Sequence, residues 1–425
     1  MDRQILQYDK TTVEFNLPDS VKCETLSPKP MVTFEDPHAG FLEAIENPVS
    51  GEPLRAIAKN AGGKVLILCT DGTRVCGKER SLTWLLDALN DYGIPDERVT
   101  ILMAVGSHPV PDEKKIAEII GPASKRVKFI AHDVDGPMDD LGFTSAGTPL
   151  RINPLLRRSD LVICTNAAVH HYFAGYGGGR KLILPGISSL ETININHSRT
   201  WKPDRPERHP LSASGVLDGN PVHEDMIEAA RIALRGIPHF AIVAVLSQNR
   251  EFGHFSAGDL DQAHRSACAF VDSHFTAEIR HRSNFLIASA GGYPKDLNLI
   301  QSHKGLDNAV QALNPGGTII YLMACSTGSG HRAFEEYAPL HKDEILAKLR
   351  KSYEVYGATT HAIKEKTAKY RVIIVSELAR SLTEALGFEH VPGIDEAISI
   401  ARNALESSPH TYLIPRADLT LPRPL

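Results

Sequence analysis

The sequence predicts an α/β protein made of two α/β domains with mainly parallel sheets and a cleft between them. Short β-branched apolar runs alternate with amphipathic stretches along most of the chain, as in open sheets whose two faces are covered by helices. The alternation occurs in two blocks, and a chain of 425 residues is long enough for two or three compact units. A cleft between two such blocks is a natural binding site.

The first block begins with buried strands separated by one clear helix. The apolar runs are KVLILC at 64–69, VTILMAVG at 99–106, RVKFIAHD at 126–133 and DLVICTNA at 160–167. Between the first two runs, leucines at 82, 85, 86 and 89 recur at helical spacing and Gly93 ends the helix. This order is typical of a strand, a crossover helix and a parallel strand.

The same pattern returns later in the chain and sets the predicted domain boundary. The later strands are HFAIVAVL at 239–246, NFLIASAGG at 284–292, GTIIYLMAC at 317–325 and RVIIVSEL at 371–378, with helical stretches at 259–275, 299–314 and 341–352. We place the boundary within 259–282. The predicted division is an N-terminal α/β domain at 1–270, a C-terminal α/β domain at 271–410 and a short tail at 411–425.

Composition and charge exclude several classes of protein. Lys and Arg total 46 against 51 Asp and Glu, so no excess of positive charge is present to neutralise a nucleic acid. The six cysteines contain no C-x-x-C pair, and the first residues have no apolar signal segment. No apolar stretch reaches the ~20 residues that span a bilayer. We therefore expect a cytoplasmic protein without membrane or nucleic-acid partners.

Candidate functional residues follow the predicted strands, because ligands in open α/β sheets bind beyond the carboxyl ends of the strands. Asp71 and Arg74 form a D-G-T-R turn after the first strand, where they could hold hydroxyl groups and an anion. The competing interpretation is an Asp-initiated turn with a surface arginine. His108 follows the second strand and precedes Pro109, but a single histidine is weak evidence in a chain with 19 of them.

The richest segment follows the run DLVICTNA and reads HHYFAGYGGGRK at 170–181. It combines two histidines with a glycine cluster that includes Gly177, Gly178 and Gly179, and it ends in Arg180 and Lys181. Such glycines let backbone N–H groups approach a phosphate, while the lysine can pair with the anion or act as a nucleophile. The spacing matches neither a P-loop nor a dinucleotide fingerprint. A glycine loop kept only for packing would leave the histidines and the two cations unexplained.

Two further places complete the candidate site. His197 lies sixteen residues after Lys181 and could return an imidazole to the same cavity as a metal ligand. One histidine cannot hold a metal alone, which points to a metal that arrives inside an organic ligand. In the second block, Gln301 and Lys304 are three residues apart at the start of a predicted helix, where an anion is favoured. A solvated helix start is the alternative.

These residues give the chain a resemblance to the nickel-dependent lactate racemase family of 2-hydroxyacid racemases and epimerases. The likeness runs through most of the chain. It rests on D-G-T-R at 71–74, G-S-H-P at 106–109, the segment at 170–181, N-H-S at 196–198, and G-G-Y-P-K-D with Q-S-H-K in the second block.

The resemblance implies a cofactor and a role for each residue. The family uses a nickel pincer nucleotide, pyridinium-3,5-bisthiocarboxylic acid mononucleotide, made by separate biosynthetic proteins. By this likeness Lys181 is the lysine that attaches the cofactor through a thioamide, His197 ligates nickel, and His108 and His171 are the acid/base pair. Asp71 and Arg74 lie beside cofactor and substrate, Gly177 to Gly179 contact the cofactor, and Arg74, Gln301 and Lys304 receive the substrate carboxylate. His170 has a supporting or packing role.

The expected function is racemisation or epimerisation of a small 2-hydroxyacid by reversible hydride transfer from Cα to the cofactor. Lactate, malate, an aromatic 2-hydroxyacid or a sugar acid would all suit the same machinery. The alternatives are a phosphate-handling transferase or hydrolase that uses the loop from Gly175 to Lys181, and a non-catalytic nickel-nucleotide carrier. A carrier would need Lys181 and His197 but no acid/base pair.

Overall fold

The described residues divide by their mutual contacts into two units. The structure is a computed structural model that describes residues 2–72, 76–205 and 207–425. Residues 31–273 form one unit, called here the central unit. Residues 1–30 together with 274–425 form the other, called here the terminal unit.

The strands of the described chain are, in order, β1 Asp2–Tyr8, β2 Thr11–Leu17, β3 Cys23–Thr25, β4 Val65–Thr70, β5 Val99–Ala104, β6 Lys128–Ala131, β7 Asp139–Phe143, β8 Pro149–Ile152, β9 Leu161–Ala167, β10 His170–His171, β11 Gly175–Tyr176, β12 His239–Leu246, β13 Phe252–Gly258, β14 Thr276–Ile279, β15 Ser283–Ser289, β16 Leu313–Leu322, β17 Arg371–Val375, β18 Glu389–Val391, β19 Thr411–Ile414 and β20 Leu421–Pro424.

The α-helices of the same residues are α1 Pro37–Glu46, α2 Leu54–Asn60, α3 Lys78–Asp91, α4 Glu113–Ile120, α5 Leu190–Ser198, α6 Pro221–Ala233, α7 Leu260–Phe275, α8 Leu299–Ala309, α9 Ala333–Tyr337, α10 Lys342–Lys351, α11 Val355–Lys369, α12 Arg380–Ala385 and α13 Ile394–Ser407. A short 3₁₀ helix at Gly179–Leu182 ends the glycine-rich segment.

The central unit is built on a six-stranded sheet in the order β13-β12-β9-β4-β5-β6. Its neighbouring strands are parallel except for β12 and β13, which pair antiparallel. The chain runs outward from β4 to β6 and then returns to β9 on the other side of β4. The order therefore reverses between β4 and β9, and the carboxyl ends of strands at such a reversal form the usual ligand crevice of α/β sheets.

Buried apolar runs explain why these segments become strands and how α3 packs. Every residue of β4 from Val65 to Cys69 is buried, as expected for a strand covered on both faces. In α3 the leucines at 82, 85, 86 and 89 are all buried on the face that packs on the sheet. The helix begins after Gly77, which has φ 67°, and an added Cβ there would lie 2.1 Å from the ring of Phe252. Glycine is required at this turn.

The terminal unit contains a second six-stranded sheet in the order β18-β17-β16-β15-β19-β3, in which every neighbouring pair is parallel. Alternate residues of β15 enter different cores: Phe285 and Ile287 pack with α13 and the β1–β2 hairpin, while Leu286 and Ala288 pack with α8. Both faces of this sheet are therefore buried. The structure confirms the expected α/β class with mainly parallel sheets.

The division of the chain differs from the predicted one at both ends. The first thirty residues belong with the terminal unit rather than with residues 31–273, since β3 pairs with β19 and the hairpin covers β15. The segment expected to be a tail contributes β19 to the same sheet and β20, which pairs with β14. Strand pairing between residues distant in sequence decides this division. Local apolar patterns therefore do not predict it.

Among the described residues, no helix has the length and apolar character needed to cross a membrane.

Candidate active site

Asp71 and His108 form a pair at the carboxyl ends of adjacent strands. Asp71 directly follows β4 and is buried, while His108 follows β5 with its backbone N–H bonded to the carbonyl of Val105. Nδ1 of His108 lies 2.5 Å from Oδ2 of Asp71. Because an ionised carboxylate only accepts, Nδ1 carries the proton and Nε2 is left as the basic ring nitrogen. The His108 side chain is 44% exposed, so Nε2 belongs to an accessible ring.

His171 lies against Lys181 within the glycine-rich segment. The two-residue strands β10 and β11 pair His171 with Gly175, which folds the segment back on itself after β9. Nε2 of His171 is 2.9 Å from Nζ of Lys181. The backbone N–H of Ala174 donates to Nδ1 of the same ring over 3.3 Å. The imidazole is therefore fixed through both of its nitrogens.

Arg180 points inward and supports the glycine-rich segment from beneath. Its guanidinium donates to the carbonyls of Tyr176 at 3.0 Å, Gly178 at 3.3 Å and Ala174 at 2.6 Å. Only 1% of the residue is exposed, and burial lowers its pKa to about 10. The two cations at 180 and 181 thus have different tasks, since Arg180 holds the loop while Lys181 contacts His171.

Packing requires glycine at 178 and 179. An added Cβ at Gly178 would lie 2.5 Å from the carbonyl oxygen of Ala167, and one at Gly179 would lie 2.5 Å from Cγ of His264. The N–H of Gly177 donates to the carbonyl of Val169 and that of Gly179 to Oδ1 of Asn166. These two N–H groups are thus bonded within the protein, which weakens the case for a phosphate nest. Contact of these glycines with a cofactor stays a prediction.

His170 pairs with an acidic side chain, whereas His171 contacts Lys181. Its Nε2 lies 2.9 Å from Oδ1 of Asp272 on α7, which also accepts a hydrogen bond of 2.7 Å from the hydroxyl of Tyr176. The His170 side chain is 5% exposed. This geometry fits the supporting role expected for His170.

His197 is a buried imidazole in the last turn of α5, a helix capped at its start by Ser189. Its ring packs edge-on against Phe173, with centroids 5.0 Å apart. Burial is the main cause that lowers the pKa of His197 to about 3, and the charges of Lys181 and His108 lower it further. Burial therefore favours the neutral imidazole. Nζ of Lys181 lies 5.3 Å from the centroid of the same Phe173 ring, so Lys181 and His197 contact one aromatic side chain.

Gln301 and Lys304 lie in the terminal unit on the first turns of α8. Asn298 caps this helix by accepting from the N–H of Gln301. Nζ of Lys304 donates to Oε1 of Gln301 over 2.8 Å, so the two side chains share one helix face as the spacing predicts. Arg74 lies outside the described residues.

No group of three or more His, Cys, Asp or Glu side chains suited to a metal ion occurs in the described residues. The candidate metal donor in the described site is a single imidazole, His197.

Comparison with known families shows which family the chain belongs to. The model of the lactate racemase N-terminal domain matches residues 8–207, and that of the lactate racemase C-terminal domain matches residues 279–417. The chain belongs to the lactate racemase family. The resemblance inferred from the sequence is thus confirmed.

Two curated members of the lactate racemase family show how far the likeness extends. The lactate racemase of Thermoanaerobacterium thermosaccharolyticum is 28% identical over 432 aligned residues, which cover 96% of each chain. The lactate racemase of Lactiplantibacillus plantarum is 31% identical over 339 residues, which cover 77% of this chain and 76% of that protein.

Solved structures agree with this family assignment. The lactate racemase apoprotein from T. thermosaccharolyticum superposes with a TM-score of 0.89 at 27% identity, covering 99% of this chain and 100% of the other. A protein from Thermotoga maritima shares the fold at a TM-score of 0.63 and 17% identity, covering 93% and 100% of the two chains.

Membership of the lactate racemase family makes the chain an enzyme of the isomerase class. The isomerase prediction is therefore confirmed. Neither the phosphate-handling alternative nor the carrier alternative agrees with this class.

Sequence reasoning missed several residues that support the site. Asp272, the partner of His170, is 102 residues away in sequence, so no local pattern connects the two. Lys78 is buried beside Asp71, and its Nζ donates to the backbone carbonyl of Asp71 over 2.8 Å. A signal for Lys78 was present, because it lies four residues before Leu82 and seven before Leu85, on the apolar face of α3.

Proposed function

We propose that the enzyme racemises or epimerises a small 2-hydroxyacid by moving hydrogen from Cα as hydride, with His108 and His171 as alternating acid and base. The relatives are named for lactate, and lactate is the first substrate to test. Malate, an aromatic 2-hydroxyacid or a sugar acid would fit the same core machinery.

One observation carries the proposal: two histidines follow the carboxyl ends of β5 and β9, the strands on either side of β4 in one sheet, and each has a partner of its own. Asp71 fixes the proton of His108 on Nδ1, and Lys181 with Ala174 fixes the His171 ring. Inversion at Cα requires a base for each enantiomer, and an imidazole can exchange a proton near neutral pH. The Cα hydrogen of an ionised 2-hydroxyacid is very weakly acidic, so its removal as hydride, with the hydroxyl proton taken by histidine, costs less than deprotonation.

The site chemistry fits the nickel pincer nucleotide that the family resemblance implies. Lys181 supplies an amine for covalent attachment, and His197, whose ring packs on the same Phe173 side chain as Nζ of Lys181, supplies one imidazole for nickel. When bound, the cofactor would supply an acceptor for the hydride. The protein's own residues bind and orient the substrate and move the hydroxyl proton.

Attachment of Lys181 would also change the surroundings of His171. In the described structure Nζ of Lys181 is within hydrogen-bond distance of Nε2 of His171. Conversion of the amine to a thioamide removes its basicity and its capacity to carry an ammonium charge at that distance. Nε2 of His171 would then no longer lie beside a basic amine.

We further propose that Gln301 and Lys304 receive the substrate carboxylate. The contact between Lys304 and Gln301 presents an ammonium and an amide on one helix face, which suits a carboxylate. We propose that maturation takes place in the cytoplasm and requires the proteins that make the cofactor.

The test uses substrate deuterated at Cα with enzyme produced alongside the cofactor's biosynthetic proteins. We expect a primary isotope effect on racemisation and retention of deuterium at Cα of the product, because hydride held by a cofactor does not exchange with water. Mass spectrometry of the product in ordinary water measures this. Rapid loss of the label to solvent would contradict the proposal and favour deprotonation by histidine.

His197→Ala is expected to lower the nickel content per chain more than His108→Ala or His171→Ala does, because only His197 is proposed as a protein ligand to nickel. Elemental analysis of the purified variants measures the metal. Equal nickel content in the three variants would remove His197 from the coordination shell.

A further inference from the structure

We propose that Lys78 is a positioning residue whose buried ammonium holds the end of β4 so that the Asp71 carboxylate meets Nδ1 of His108. The proposal deepens the base role of His108 and rests on that proposed function.

The position of Lys78 follows from the turn between β4 and α3. Gly77 in a left-handed conformation packs against Phe252 and allows α3 to start at once. The first residue of the helix then faces the sheet, on the same side as Leu82 and Leu85. Lys78 is only 4% exposed. A lysine at the start of a helix would ordinarily have a solvated ammonium.

Burial of an ammonium is unfavourable unless its donors are satisfied. Nζ of Lys78 donates to the carbonyl oxygen of Asp71 at 2.8 Å and reaches Oγ1 of Thr70 at 3.5 Å and Sγ of Cys76 at 3.9 Å. These contacts tie the last residue of β4 to the first residue after it. The ammonium thus braces the backbone of Asp71.

The backbone of Asp71 matters because its carboxylate selects the tautomer of His108. Oδ2 of Asp71 lies 2.5 Å from Nδ1 of His108, a separation that leaves little freedom for the carboxylate. Without the ammonium, the carbonyl of Asp71 would lose a charged donor within a buried cluster, and the turn would shift to find another. A displacement of the carboxylate by about 1 Å would misalign Nε2 of His108 and could lower the rate by up to about 10²-fold.

The test compares the Nδ1–H proton resonance of His108 in apoprotein of the wild type and of the variants K78M, D71N and K115M. His108→Gln identifies the resonance by its loss. Methionine keeps the length and apolar stem of Lys78 without the ammonium, and Lys115 is an exposed lysine of the same unit, with 61% of its side chain accessible. We expect a downfield resonance in wild type and K115M, its loss in D71N, and its loss or marked upfield shift in K78M.

A K78M protein with native circular dichroism and an unchanged resonance would overturn the proposal. If K78M does not fold, K78Q, which retains an N–H donor without charge, takes its place. Loss or a marked upfield shift of the resonance in K78Q would support the proposal, and an unchanged resonance would overturn it. Failure of both variants to fold would also overturn the proposal, because Lys78 would then be a requirement of folding.

A double-mutant cycle in cofactor-loaded enzyme separates positioning from general stability. K78M should lower kcat while KM changes little, and its effect should largely disappear in the D71N background, because both changes act through His108. Equal effects in the two backgrounds would contradict the proposal. If even the wild type racemises no 2-hydroxyacid, the proposed function fails, whereas the resonance still decides the role of Lys78.

Discussion

Replacing either His108 or His171 by alanine is expected to lower kcat/KM for racemisation by about 10² to 10⁴, the usual contribution of a positioned acid or base. Each histidine is proposed to take the hydroxyl proton from one enantiomer and to return a proton when the other enantiomer reacts. Both directions must slow by the same factor in kcat/KM, since the equilibrium constant between enantiomers fixes their ratio. Initial rates measured by polarimetry or chiral chromatography from each pure enantiomer test this.

His239→Ala is a matched control for the histidine variants. His239 is the first residue of β12, at the amino end of a parallel strand whose carboxyl end faces the site, and its Nδ1 contacts the carbonyl of Ile237. We expect near wild-type rates and nickel content in this variant. A His108 or His171 variant that loads nickel normally and racemises as fast as His239→Ala would refute the acid/base assignment.

Lys181→Ala is expected to abolish the covalent adduct and nearly all activity. Nζ of Lys181 is the amine proposed to attach the cofactor, and alanine offers no nitrogen for a thioamide. Intact-mass measurement of wild type and variant, each produced with the biosynthetic proteins, should show the added mass of the cofactor only in the wild type. Peptide mapping should locate it on the peptide that contains Lys181.

Lys181→Arg and Lys64→Ala separate attachment from charge and from general effects. Arginine keeps a cation near His171 but cannot form the thioamide, so it should resemble alanine in the mass measurement. Lys64 precedes β4 at the opposite end of the sheet, and its replacement should leave the adduct intact. Unmodified Lys181 in fully active, nickel-loaded wild type would rule out covalent attachment, although non-covalent binding would then remain to be measured.

The predicted strands show how much local pattern reveals. KVLILC at 64–69 corresponds to β4 with a displacement of one residue, and DLVICTNA at 160–167 corresponds to β9, which begins one residue later and ends at the same residue. The run RVKFIAHD at 126–133 is a strand only at Lys128–Ala131, where it pairs with β5. Continuous apolar runs identify buried parallel strands well, whereas their ends depend on where a neighbouring strand stops offering hydrogen-bond partners.

The sequence by itself determined the α/β class, the two blocks, the family resemblance and the identity of the candidate residues. These follow from periodicity and from residue types at fixed spacing, both of which are properties of the local sequence. For the same reason it predicted that residues after different strands would gather, because carboxyl ends of parallel strands share one edge of a sheet.

Only the tertiary structure decided which partner each candidate side chain has. Asp71 and His108 are 37 residues apart, and their contact depends on β4 and β5 being adjacent in register. The inward direction of Arg180 depends on packing against carbonyls within its own loop, and the assignment of the first thirty residues to the terminal unit depends on β3 pairing with β19. These contacts depend on burial and on hydrogen bonds between segments that are distant in sequence. A local stretch of sequence therefore does not predict them.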